Sequence, residues 1–282
     1  MELDGRVAVV TGGTRGVGAG IARAFLEAGA EVVVCARRPP EVPLPGVVFA
    51  PLDLRDPVAV GEFFAEVAGR RGRLDVLVNN AGGTPYRLLA EGAGSHGGPG
   101  ATTGGGAAGR SGGGPAAGGR SGLGGAARHA RVIELNLVAP LTASLAAYEY
   151  LKASHGSIVM IGSVSGGRPS PGSAAYGAAK AGVESLARSM AVEWAPEVRV
   201  NTLVLGMVRT ELSALHYGDE EGVAAVGRTV PLGRLAEPSD VGDAAVFLAS
   251  DRAAYISGAS LLVHGGGERP AFLDASTADK EK

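Results

Sequence analysis

Seven short apolar, largely β-branched runs alternate with longer segments of helical period, and few folds accommodate that alternation. The runs are 6–10, 31–35, 47–51, 75–78, 157–161, 198–203 and 260–263. Most are nearly continuous in apolar residues, the pattern of strands covered on both faces. Segments 17–28, 57–70, 131–152, 174–194 and 239–250 carry the helical spacing between them. The expectation is an α/β fold, a doubly wound parallel sheet of about seven strands. Right-handed crossovers then bring the C-terminal end of every strand to one rim, where ligands bind.

The first strand is followed at once by Thr11-Gly12-Gly13-Thr14-Arg15-Gly16-Val17-Gly18 and a helix. Glycines permit a tight turn and let a pyrophosphate approach the backbone. The helix start offers unpaired N–H groups and the positive end of its dipole. This is a Rossmann-like dinucleotide site. A carboxylate at the end of the second strand would bind both ribose hydroxyls and repel a 2′-phosphate. The chain instead reads Cys35-Ala36-Arg37-Arg38, with Arg15 in the turn. Guanidiniums clamp phosphate, so NADP(H) is the expected cofactor, with NAD(H) a possible substitute.

A second constellation lies downstream. Tyr176 and Lys180 are four residues apart, on one helix face, with Ser163 thirteen residues before Tyr176. A phenol titrates near 10, and a neighbouring cation favours the phenolate. The expectation is a Tyr176 pKa drawn toward neutrality, where it can exchange a proton with an alcohol or ketone.

Taken together, the glycine turn, Asn79-Asn80-Ala81-Gly82, Asn136 in Glu-Leu-Asn-Leu, Ser163 and the Tyr176/Lys180 pair resemble the short-chain dehydrogenase/reductase family. The resemblance runs from residue 3 to about 267, apart from a Gly-rich stretch. It implies an NADP(H)-dependent oxidoreductase moving hydride to or from a ketone or secondary alcohol. Tyr176 would be the general acid/base and Ser163 a hydrogen-bond donor to the substrate oxygen. Lys180 would bind the nicotinamide ribose and depress the Tyr176 pKa. Asn136 would hold a water that links Lys180 to solvent. The cofactor set it implies is Gly12, Thr14, Arg15, Gly16, Val17, Gly18, Arg37, Asp53, Leu54, Asn80, Gly82, Tyr176, Lys180, Gly206, Val208 and Thr210, with Asp53 at the adenine amine. Similarity to 3-oxoacyl-thioester reductases and hydroxysteroid dehydrogenases suggests a fairly apolar substrate. Segment 211–230 would be its mobile cover, with His216 a surface or lid residue. Leu205-Gly206 stands where relatives have Pro-Gly, which loosens that turn. The alternative function is a non-catalytic NADP(H) sensor, or a family member inactivated by the Gly-rich stretch.

That stretch, 92–127, is about half glycine and falls where a helix is due. Its composition cannot offset ordering entropy, so a flexible loop is expected. A lid, an insert without function and a shifted reading frame all fit it. In relatives that place holds a helix of the subunit contact, which puts a homodimer or homotetramer in doubt. The organisation expected is one dinucleotide-binding domain over 1–267 carrying the catalytic site, the 92–127 insert, and a polar tail at 268–282.

The remaining composition narrows the class. Charged residues are 19% of the 282, and the net charge is −2, which favours neither nucleic acid nor an anionic membrane. No apolar run approaches a bilayer span, and the acidic start lacks a secretory n-region. Cys35 is the single cysteine, read as a small buried hydrophobe. No cluster has metal-ligand spacing. The expected setting is cytoplasmic, with a small-molecule substrate.

Overall fold

The computed structural model describes residues 1–83, 89, 121–268, 270 and 275. Seven strands form one parallel sheet: β1 (Val7–Thr11), β2 (Glu31–Ala36), β3 (Val47–Pro51), β4 (Val76–Asn79), β5 (Ser157–Ser163), β6 (Arg199–Leu205) and β7 (Ser260–Val263). Their order is β3-β2-β1-β4-β5-β6-β7. The chain winds outward from β1 to β3, then returns to β1's other side with β4. That reversal opens a crevice between the C-terminal ends of β1 and β4.

Alternation within the strands builds two cores. Val7 and Val9 face one side with Val33, Leu77, Ile158 and Met160. Ala8 and Val10 face the other with Val32, Val34, Val76 and Val78. Helices α2 (Pro57–Arg71), α4 (Ala139–Ala153) and α5 (Ala174–Glu193) cover the first face. Helices α1 (Gly16–Glu27) and α8 (Pro238–Ala249) cover the second. Glycines set how closely that last pair approaches. A Cβ on Gly20 would stand 2.4 Å from Pro238 Cβ, and one on Gly242 2.7 Å from Ala24 Cβ.

Helix α3 (Ser121–Ile133) corrects the loop reading of 92–127, because helix begins ten residues before the expected 131. Ala126, Ala127, Arg128 and Ala130 are strong helix formers, and they extend the following helix backward. The rest of that stretch, 92–120, lies outside the described residues. A π turn (Glu134–Val138) joins α3 to α4. The helical stretch Gly125–Ala153 is 29 residues long and apolar enough to cross a bilayer by length and composition, contrary to the expectation of no such run. Its α4 part buries Ala139, Ala143, Ala147 and Leu151 against the sheet. Segment 211–230 forms α6 (Ser213–Tyr217) and α7 (Glu220–Thr229).

Asp75 joins the sheet at its other end. It is buried, accepts the Val7 N–H at 2.9 Å and receives Arg73 Nε and Nη2 at 2.8 and 2.6 Å. Removing the carboxylate orphans a buried N–H and a guanidinium. Asp75→Ala is therefore expected to lower stability by about 2–3 kcal/mol, measured by urea unfolding.

Candidate active site at the rim of the sheet

The glycine turn sits at the β1/β4 crevice, held there by a compact polar knot. Thr11 Oγ1 donates to the Val78 carbonyl at 3.2 Å and accepts the N–H groups of Asn80 and Ala81, each at 3.0 Å. Asn80 Nδ2 reaches back to the carbonyls of Thr11 and Gly12 at 2.9 and 3.1 Å. Packing this tight excludes side chains. Gly12 has φ +64°, and a Cβ on Gly18 would lie 2.3 Å from the Gly12 carbonyl oxygen. Helix α1 consequently opens at the crevice, with Thr14, Arg15, Gly16 and Val17 around its start. Arg15, its N-cap residue, provides no side-chain cap, and the first turn holds no acidic residue. This cradle of backbone N–H groups and an exposed guanidinium fits a dinucleotide pyrophosphate.

Beyond β2, Arg37 and Arg38 are exposed. Asp53 lies nearby, but its carboxylate is gripped by Arg55, whose Nε and Nη2 donate at 2.9 and 2.6 Å. Those bonds outweigh the opposing effect of burial and, helped by the Arg55 N–H and the charges of Arg55 and Arg37, hold its pKa at about 2. Leu54, expected at the cofactor, is buried in the core beside α2.

The second constellation gathers at the end of β5. Ser163 is the last residue of that strand, and a single 3-10 turn (Val164–Gly166) follows it. Two glycines bring α5 against this turn. A Cβ on Gly177 would stand 2.7 Å from the Ser165 carbonyl oxygen, and one on Gly166 2.7 Å from the Ala181 nitrogen. Tyr176 is thereby brought beside Ser163, close enough for that hydroxyl to act on its phenol. Lys180 Nζ lies 5.5 Å from the centre of the Tyr176 ring and donates to the Ile161 carbonyl at 2.6 Å.

Electrostatics here depart from expectation. Burial pushes the Tyr176 phenol up from its ordinary value, the Ser163 hydrogen bond opposes this, and the Lys180 charge adds no resolved lowering. Lys180 itself is 3% exposed, and burial depresses its pKa from 10.5 to about 8. The site therefore holds a protonated phenol and a destabilised ammonium.

Asn136 lies within the π turn, fully buried. Its Oδ1 accepts the Gly83 N–H at 3.0 Å, while Nδ2 donates to the carbonyls of Gly83 and Val132 at 2.9 and 2.8 Å. A Cβ on Gly82 would meet Oδ1 at 2.5 Å. The side chain thus ties the segment after β4 to the π turn, whose Leu137 packs on Gly182 of α5.

Gly206 and Met207 follow β6, and Gly206 is required because a Cβ there would lie 2.8 Å from His264 Cβ. Val208 makes a parallel bridge with Ala236, and the Thr210 N–H donates to Ser213 Oγ at 2.8 Å. A cavity of roughly 290 Å³ opens beside Val164, between Gly206, Met207 and His264, and is lined further by Arg168, Gly267 and Glu268. Arg168 and Glu268 form an ion pair, and both charges influence Tyr217 of α6. Sequence reading missed Arg168, His264 and Glu268. A hundred residues separate the paired charges, and no local signal links them. His216, by contrast, is exposed as expected.

The depressed Lys180 pKa is also a statement about stability. Between about pH 8 and 10.5 the folded state binds fewer protons than the unfolded chain, so this group's contribution to stability rises with pH across that window. At pH 7 its burial costs on the order of 3 kcal/mol. Lys180→Met is expected to leave Tm unchanged or raised at pH 7, with the difference from wild type shrinking toward pH 10. Differential scanning calorimetry at both pH values checks this; a marked loss of Tm at pH 7 would contradict it.

The chain matches two family models on either side of the Gly-rich stretch. These are short chain dehydrogenase over 6–93 and Enoyl-(Acyl carrier protein) reductase over 123–268. It is 33% identical over 274 residues to the L-fucose dehydrogenase of Oryctolagus cuniculus, covering 94% of this chain and 85% of that protein. It is 31% identical to the 3-oxoacyl-(acyl-carrier-protein) reductase FabG of Vibrio cholerae, covering 94% and 98%. Among solved structures, the aldohexose dehydrogenase of Thermoplasma acidophilum superposes with TM-score 0.79 at 26% identity, covering 99% and 98%. With its parallel sheet, dinucleotide cradle and matched models, the chain belongs to the short-chain dehydrogenase family of oxidoreductases.

Proposed function

We propose that this protein transfers hydride between NADP(H) and a secondary alcohol or ketone, with Tyr176 as general acid and base. The observation that carries the reading is the placing of Tyr176 beside Ser163, with Lys180 Nζ 5.5 Å from the Tyr176 ring, on the same rim as the glycine cradle. When bound, the nicotinamide supplies or accepts the hydride. In reduction Tyr176 Oη gives its proton to the carbonyl oxygen, and in oxidation it takes one from the hydroxyl. Ser163 Oγ donates a hydrogen bond to that oxygen as its charge grows. Lys180 holds the nicotinamide ribose. A relay water at Asn136 can take no hydrogen bond from Nδ2, whose two hydrogens are already used, and is left to the main chain or to the second lone pair of Oδ1.

The arginines favour NADP(H) over NAD(H). Arg15, Arg37 and Arg38 are exposed, and the nearest acidic candidate, Asp53, is neutralised by Arg55. The charged lining beside Val164 favours a hydroxyl-rich substrate over the apolar one that the family's thioester and steroid enzymes suggest. The sugar dehydrogenases among its relatives support that preference. A cytoplasmic setting remains part of this reading.

The test is a steady-state screen of sugars, simple secondary alcohols and ketones with each dinucleotide. NADP(H) is expected to give kcat/KM at least about 10-fold above NAD(H), with Arg37→Ala losing most of that ratio. Equal values, or an NAD(H) preference, would overturn the assignment. Because the phenol titrates high, alcohol oxidation is expected to rise with pH toward the alkaline range, while ketone reduction falls there.

A further inference from the structure

The cradle at the start of α1 is already engaged by another part of the chain. The Gly16 N–H donates to Glu211 Oε1 at 2.9 Å. A Cβ built on Gly16 would lie 3.3 Å from Thr210 Cγ2 and 3.5 Å from Glu211 Oε2. The Thr210–Glu211 corner therefore lies over the glycine turn, although 195 residues separate its carboxylate from Gly16.

The corner is held from both sides. Before it, the Arg209 N–H donates to the Ala236 carbonyl at 2.8 Å, and the Ala236 N–H to the Met207 carbonyl at 3.0 Å. At and after it, the Thr210 N–H donates to Ser213 Oγ at 2.8 Å, and the Leu212 N–H to Thr210 Oγ1 at 3.3 Å. These bonds deliver one carboxylate to a helix start whose own N-cap residue supplies no side-chain acceptor. Unpaired N–H groups and the positive dipole end attract an anion, and Glu211 answers that demand.

A dinucleotide pyrophosphate makes the same demand at the same N–H groups. Two anions repel strongly at such separations, and one N–H cannot serve both fully. We propose that Glu211 is an internal competitor for the dinucleotide phosphates: its carboxylate caps α1 and has to leave Gly16 before the pyrophosphate seats there. The inference rests on the dinucleotide site described above and adds a residue that weakens its affinity. A purely structural cap predicts the opposite, since losing it would loosen the turn and weaken binding.

Glu211→Gln keeps the size and the acceptor oxygen while removing the charge. Without substrate, the Kd values of NADPH and NADH, each followed by dinucleotide fluorescence, are expected to fall by a common factor of about 3- to 10-fold. Raising KCl narrows the gap by screening. Glu221→Gln, an exposed position on α7 with the same charge change, is expected to leave both Kd values unaltered. Hydrogen exchange at Gly16 in the ligand-free proteins is expected to be faster in Glu211→Ala, which has no acceptor there; unchanged exchange would contradict the contact. Should Glu211→Gln fold poorly, Glu211→Asp retracts the charge by one methylene and is expected to give a smaller tightening. Equal or weaker binding by the Glu211 variants, or equal tightening by Glu221→Gln, overturns the inference alone. Failure of every variant and the wild type to bind either dinucleotide overturns it together with the proposed function.

Discussion

The site is organised around a charge in a place that disfavours charge. Lys180 is almost wholly buried, hydrogen-bonded to the Ile161 carbonyl, and its pKa is depressed to about 8 by burial alone. Such a position survives only because the rest of the fold fixes it. Helix α5 is clamped to the β5 turn through Gly166 and Gly177, and the π turn backs it through Leu137 and Gly182. The same clamp sets Tyr176 against Ser163, so buried cation and protonated phenol follow from one packing decision.

The reversal of strand order does the complementary work. It places β4 beside β1, lets Thr11 and Asn80 tie the two strand ends, and leaves the start of α1 facing an open crevice. Strand β5, next in the sheet, ends at Ser163 on the same rim. Strands β6 and β7 then bring Gly206, Met207 and His264 to the far side, where Arg168 and Glu268 line the cavity. One sheet thus carries the glycine turn, the Ser163–Tyr176–Lys180 cluster and a polar pocket in sequence along its edge.

Much of this was legible in the chain because it rests on local or short-range pattern. Strand runs, the glycine turn and the Tyr176/Lys180 spacing are all written within twenty residues. What stayed hidden depends on contacts between distant segments. The Arg168–Glu268 pair and the Glu211–Gly16 bond exist only after folding. Helix α3 was masked by its glycines, whose cost the continuing helix outweighs. The direction of the Tyr176 shift was misread because proximity of a cation was legible and burial was not. The partners of the Asn136 side chain, Gly83 and Val132, are likewise set by the fold and carry no signal in the sequence.

In the proposed mechanism Tyr176, beside Ser163, transfers the proton, while the glycine cradle, the arginines after β2 and Lys180 hold the dinucleotide. Tyr176→Phe separates the two most directly, since it removes one oxygen from the rim and leaves the cradle intact. The account predicts an NADPH Kd within about threefold of wild type and a kcat lower by at least about 10²-fold on the best substrate. Retained turnover in that variant, with the dinucleotide still bound, would contradict it.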